Sequence, residues 1–308
     1  MTQQFLGSEL SATENQQADA LFQIIPCGLE ATVSFGTGTR KGPEAILQAS
    51  DQLERNVQGF EPCQQGIFTH PELDCTQPIE QVMQDLRDLT ADISAKGHIP
   101  VTLGGEHSVS YGAVMGVVDA LHQKGESLGI VQIDAHADFR VAYQGHHYSH
   151  ASIMHLLAEA GLPIVSLGVR ALSTEEELAR TKHGVIAHDG PMLVRNNISQ
   201  IELPDDFPEN IYVTFDVDGL DPAVIAATGT PVPGGLGFYQ SLDLVESSLR
   251  GRHCVGIDIT ELAPIEGLTS NDFTAALICY TLMAFAAKRQ QNRGRSKHRT
   301  HLIESKET

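Results

Sequence analysis

The chain has 308 residues, 41% of them hydrophobic, which is enough for one large α/β domain or two ordinary ones. Asp and Glu outnumber Lys and Arg 39 to 20, a net charge of −19 that argues against nucleic acid as a partner and suits a cationic ligand. Five cysteines without a C-x-x-C pair read as reduced thiols of a cytoplasmic protein, not as a disulfide or zinc framework.

Residues 1–20 are polar, with neither a basic n-region nor an apolar h-region, so a polar N-terminal extension without a secretory signal is expected. A single domain is expected over 21–287, where short apolar, β-branched runs recur. They are "FQIIP" at 22–26, "HIPVTLGG" at 98–105, "LGIVQID" at 128–134, "PIVSLGVR" at 163–170, "GVIAHD" at 184–189, "IYVTFDVD" at 211–218 and "CVGIDIT" at 254–260. Runs apolar on both faces predict parallel strands covered from both sides. Residues 78–97 and 108–125 show helical spacing and end in Gly, so strands and helices alternate as in a three-layer α/β/α domain. "FTAALICYTLMAFAA" at 273–287 is 15 residues long, short of the roughly 17–25 that span a bilayer, and reads as a buried helix with no membrane role. Residues 288–308 are basic and polar and are expected to form a solvated tail.

Open α/β sheets bind ligands at the carboxyl ends of their strands, and the unusual polar residues of this chain fall there. Glu106 and His107 follow "VTLGG", Asp134, His136 and Asp138 follow "GIVQ", Asp216 and Asp218 close "VTFDVD", and Glu261 follows "IDIT". Residues i, i+2 and i+4 of an extended segment share one face. Two carboxylates and an imidazole therefore converge in "DAHAD", and two more carboxylates in "DVD". Buried together without a cation they would cost several kcal/mol. Four aspartates with His136 and His107 make six candidate ligands; the carboxylates need about two divalent cations for neutrality, and a donor set without thiolate favours a hard or borderline metal such as Mn²⁺. Zinc sites usually stop at three or four ligands. A water between two such ions would be a nucleophile for hydrolysis.

The ordered motifs "GGEHS", "DAHADFR", "YSHAS", "TFDVDGLDPA…TGTPVPGGL" and "GIDITELAP" resemble those of the ureohydrolases, the binuclear manganese family of arginase and agmatinase. The similarity runs from "ATVSFGTGTRKGPEAI" at 31–46 to about residue 285, and "GGEH", "GTGTRKGP", "YSHAS" and "GVRALSTEE" are most like agmatinases. The resemblance implies a parallel, eight-stranded sheet in an arginase-like three-layer fold, assembly into trimers or hexamers, and hydrolysis of a guanidino group to urea and an amine. It also implies two Mn²⁺ per chain, one held by His107, Asp134, Asp138 and Asp216, the other by Asp134, His136, Asp216 and Asp218, with Asp134 and Asp216 bridging.

By the same resemblance Glu261 would receive the guanidinium and His150, in "SHAS", would pass the proton to the leaving amine, as suits an imidazole near neutral pH. His155 reads as part of the following helix, His146 and His147 as loop residues near an entrance, and Glu106 as a supporting residue. Where arginases carry an "SGNxHG"-like segment that contacts the substrate α-carboxylate, this chain has "HHYSHAS", which favours agmatine, with putrescine and urea as products. Val232 departs from the agmatinases, which often carry an acidic residue within "GTPxPGG", so guanidinobutyrate, arginine and other guanidines stay open. A one-zinc deacetylase of related fold and a non-catalytic metal-binding protein are the alternatives; the full ligand set with His150 and Glu261 argues against both.

Overall fold

Eight strands make one sheet, and every pairing in it is parallel. The computed structural model describes residues 3–304, side chains included through Lys288 and at Gln290. The strands are β1 (Phe22–Cys27), β2 (Ile67–Thr69), β3 (Ile99–Gly104), β4 (Leu128–Ile133), β5 (Ile164–Leu167), β6 (Ile186–His188), β7 (Asn210–Asp216) and β8 (His253–Thr260). The helices are α1 (Gly42–Ser50), α2 (Ile79–Ala95), α3 (Val109–His122), α4 (Ile153–Glu159), α5 (Thr174–Lys182), α6 (Gly190–Arg195), α7 (Phe238–Ser248) and α8 (Ser270–Glu304). Seven strands coincide with the apolar runs of the sequence. The eighth, β2, has three residues and pairs along one side with β1, too short to show a pattern.

The sheet order is β2-β1-β3-β8-β7-β4-β5-β6. Alternate residues serve opposite layers: Val131 and Ile133 of β4 join the core with α1, α7 and α8, whereas Leu128 and Ile130 join the one with α2, α3 and α4. This two-sided burial is why the strands read as continuous apolar runs. After β3 the chain crosses to β4 and builds outward to β5 and β6, then returns to place β7 and β8 in the gap. The strands β3, β8, β7 and β4 therefore lie side by side at the switch in winding direction, where a crevice opens at their carboxyl ends.

The N-terminal extension is anchored, because Phe5 and Leu6 reach the core. Phe5 and Leu6 are fully buried, and their amides donate to Thr69 Oγ1 at 3.0 Å and Ser50 Oγ at 2.8 Å. At the other end α8 carries the expected tail as helical backbone as far as Glu304. No helix among the described residues is long and apolar enough to cross a membrane.

Candidate metal centre and active site

Each of the four central strands runs into a polar turn, and two of these turns hold a non-glycine residue in left-handed backbone. Asp138 has φ 51° and Glu261 φ 62°, a conformation that costs about 1–3 kcal/mol and persists only when neighbours over-determine it. Here they do. The Asp138 carbonyl accepts from the amides of Met154 (3.0 Å) and His155 (3.2 Å), and the Glu261 amide donates to Gly105 O at 2.9 Å. A Cβ on Gly105 would collide with the Leu29 carbonyl, so glycine is required for the 29–32 loop to lie across the end of β3.

The six residues named as ligands from the sequence meet at one place. His107 Nδ1 faces three carboxylate oxygens: Asp138 Oδ2 at 2.9 Å, Asp134 Oδ2 at 3.2 Å and Asp216 Oδ2 at 3.4 Å. His136 Nδ1 lies 3.0 Å from Asp218 Oδ2 and 3.6 Å from Asp134 Oδ1. Two ligand groups result, His107–Asp134–Asp216 and Asp134–His136–Asp218, each with donor atoms within 4.8 Å of one another, and Asp134 belongs to both. Asp138 joins the first through its contact with His107. Asp216 turns Oδ2 to the first group while its Oδ1 accepts the Asp218 amide at 2.8 Å.

Electrostatics show how poorly these groups tolerate one another without a cation. Burial, with repulsion from Asp134, pushes the Asp138 carboxyl up to about 7. Burial, with repulsion from Asp218 and Asp134, raises Asp216 well above the carboxylate range. Burial alone would depress His136, but Asp134 and Asp218 raise it to about 11, and Asp134 and Asp138 likewise hold His107 well above its ordinary value. Burial would raise Asp134, yet the two imidazoles bring it below its usual range. Left to itself the cluster keeps protons as its positive charge. Moreover, His107 Nδ1 is buried among three carboxylate oxygens without a well-formed hydrogen bond to any of them. The residues fit divalent metal.

The ring orientation of His107 is set from behind. Thr214 Oγ1 donates to Asp258 Oδ1 at 2.7 Å, so its oxygen is left to accept from His107 Nε2, 2.8 Å away. In the neutral ring this leaves the lone pair on Nδ1. Gln132 Nε2 similarly donates to Asp134 Oδ2 at 2.8 Å, and Arg170 spans the carbonyls of Gly168, Asp218, Gly219, Leu220 and Val232. Sequence reasoning missed Thr32, Thr214, Asp258 and Arg170. Only Thr214 left a signal, two residues before Asp216 on the same strand face.

A cavity of about 470 Å³ opens onto this cluster, its wall including His136, Asp138, His150, Arg140, Tyr143, Ser173 and Glu176. His150 heads a 3-10 turn, His150–Ser152, and lies half-buried; burial keeps its imidazole below the ordinary value. Glu261 is buried beside the cluster, not on the cavity wall: its Oε1 accepts the His107 amide at 2.7 Å, and burial lifts its carboxyl to about 8. Glu106 accepts from the amides of Ala31 and Thr32 and from the hydroxyls of Thr32 and Ser108, a supporting role. His146 and His147 are exposed loop residues off the cavity wall, and His155 lies in α4. Val232 does not line the cavity either; its carbonyl is a ligand of Arg170.

A match to the arginase family profile covers residues 20–287. The chain belongs to the arginase family. Among arginase-family relatives, the N(1)-aminopropylagmatine ureohydrolase of Synechocystis is 33% identical, over 94% of this chain and 96% of that protein. The agmatinase of Bacillus subtilis is 31% identical, over 83% of this chain and 87% of its own. Of solved structures, the agmatine ureohydrolase of Thermoplasma volcanium superposes with a TM-score of 0.81 at 25% identity, covering 95% of this chain and 97% of that one.

Proposed function

We propose that this chain is a binuclear ureohydrolase that cleaves the guanidino group of an agmatine-type amine, with the aminopropyl-extended compound preferred over agmatine itself. The observation that carries the chemistry is Asp134, shared by two ligand groups at adjacent strand ends. His107, Asp134, Asp138 and Asp216 would hold one ion, and Asp134, His136, Asp216 and Asp218 the other. Four carboxylates and two imidazoles without thiolate suit Mn²⁺. When bound, the pair would supply an activated water and electrostatic stabilisation.

The protein's own residues do the rest. Glu261 offers a buried carboxylate beside the cluster, and a guanidinium's N–H fork matches such a group. The approach of that cation would ionise a carboxyl that burial otherwise keeps protonated to about 8. His150, which lines the cavity, would give a proton to the departing amine. Support for the longer substrate comes from the Synechocystis relative's name and from a cavity of about 470 Å³ whose wall includes Tyr143 and Glu176 beside His150. The deciding assay is urea release by Mn²⁺-loaded protein from agmatine, N(1)-aminopropylagmatine, arginine and guanidinobutyrate. Urea from none of them would reject the ureohydrolase reading.

A further inference from the structure

A second cluster of ligating side chains lies outside the strand-end centre, between α4 and α5. His155 and Glu159 are one turn apart on α4 and so share a face, while His183 caps the carboxyl end of α5. Each of the three offers a donor atom, all within 4.8 Å of one another. The arrangement is held by packing: Phe139 places its ring 5.7 Å from both imidazoles, edge-on to His155, and the imidazoles are 5.7 Å apart. Glu159 Oε1 reaches His183 Nε2 at 3.3 Å. An independent sign comes from His155, whose Nδ1 is buried without any hydrogen-bond partner. A half-buried imidazole with an orphaned ring nitrogen, beside a second imidazole and a carboxylate, is an arrangement that a metal ion satisfies.

We infer that His155, Glu159 and His183 form a separate divalent-metal site selective for Zn²⁺ over Mn²⁺. Two imidazoles and one carboxylate with an open side are a usual zinc donor set, water completing the tetrahedron. Two nitrogen donors and a single carboxylate bind zinc more strongly than manganese by the general affinity order of divalent metals. The position gives the ion a structural consequence. It would clamp α4 to α5, and the His155 amide, with that of Met154, holds the carbonyl of the left-handed residue Asp138. Zinc there would steady the turn that presents a strand-end carboxylate without entering the reaction.

The test uses the full chain loaded with Mn²⁺, dialysed against micromolar Zn²⁺ in the presence of excess Mn²⁺, with bound zinc and manganese counted per chain. Wild type is expected to gain one zinc that Glu159→Gln and His183→Gln do not gain, and zinc-edge absorption should report two imidazole nitrogens. Melting temperature should rise with zinc in wild type and not in the two variants. The Glu159 side chain is 59% exposed, so its replacement leaves folding intact. Zinc that merely replaces manganese at the strand-end centre would appear as equal manganese release in all three proteins. Equal zinc uptake by wild type and both variants, or no uptake up to about 100 µM, which leaves binding weaker than roughly 5 kcal/mol, would overturn the proposal.

Discussion

Thr32 Oγ1 stands 3.0 Å from His150 Nδ1 while donating its own proton to Glu106 Oε1 at 2.8 Å. With its proton committed, the Thr32 oxygen accepts, so His150 carries its hydrogen on Nδ1 and keeps Nε2 free for proton exchange. Glu106 would thus act on His150 at one remove, as a positioning residue. Thr32→Val should lower kcat about tenfold, ~1.4 kcal/mol of transition-state stabilisation, with metal content unchanged, and Thr32→Ser should restore most of it. Steady-state kinetics with metal analysis decides: a fully active valine variant would show that His150 is oriented by other means.

Removing the imidazole itself should be more damaging. His150→Asn is expected to reduce turnover by roughly 10²–10⁴-fold, the usual worth of a general acid–base, and to leave the metal-to-protein ratio at its wild-type value. His155→Asn, a change in α4, should stay within a few-fold of wild type. The opposite order of severity would move the proton-transfer role to another residue.

The shared carboxylate predicts a difference in metal stoichiometry. Asp134 contributes to both ligand groups, and Asp218 to one. Asp134→Ala should therefore abolish tight binding of both ions, whereas Asp218→Ala should leave about one Mn²⁺ per chain. Titration calorimetry on metal-stripped protein measures this directly, and identical loss in both variants would mean that the two sites fill only together.

The convergence of the candidate ligands was readable in the sequence because most of them alternate at the ends of recognisable apolar strands, where spacing alone aims them to one side. The supporting groups obey no such local rule. Thr32 meets His150 across 118 positions, and only because Gly105 lets the 29–32 loop cross the end of β3. Asp258 is one apolar-strand residue among others until β7 and β8 pair and set it beside Thr214. Glu261 was placed by resemblance as the guanidinium receptor, and the structure adds that it is tied to the His107 amide. Likewise β2 exists because β1 has an open side to pair with, not because three residues announce a strand.

The pH dependence of stability should reveal the cluster's need for a cation. In the metal-free fold Asp138 and Glu261 keep protons to about 7 and about 8, against ordinary values of 3.8 and 4.5. His136 keeps its proton to about 11 against 6.5. Between the ordinary and the raised values the unfolded chain holds fewer protons, so the contribution of these groups is lost as pH rises. Asp134 acts in the opposite direction, but only below about pH 4. Divalent metal displaces the retained protons and binds more tightly as pH increases. The difference in melting temperature between Mn²⁺-loaded and chelator-treated protein should widen from pH 5 to pH 8. A difference that stays constant across that range would contradict the protonation pattern.

Substrate choice should turn on the cavity wall around Arg140. Arg140 is turned toward Glu176, 3.7 Å away, with its guanidinium 5.4 Å from the centre of the Tyr143 ring. Glu176 in turn accepts the amides of Phe139 and Ser173. These groups neutralise one another, and the loop that arginases use to read an α-carboxylate has a different sequence here. A carboxylate would enter this wall without dedicated donors and lose the hydration it had in water, a penalty that a substrate ending in amines does not incur. The net charge of −19 further favours the arrival of polycations. We expect kcat/KM for agmatine to exceed that for arginine by at least about tenfold, and N(1)-aminopropylagmatine to be used better than agmatine. Arg140→Ala should change the gap between the amines and arginine by less than about threefold if Arg140 is committed to Glu176 and Tyr143. Side-by-side kinetics on the four guanidines checks the ranking, and equal use of arginine would leave the ureohydrolase chemistry standing while removing the agmatine-type specificity.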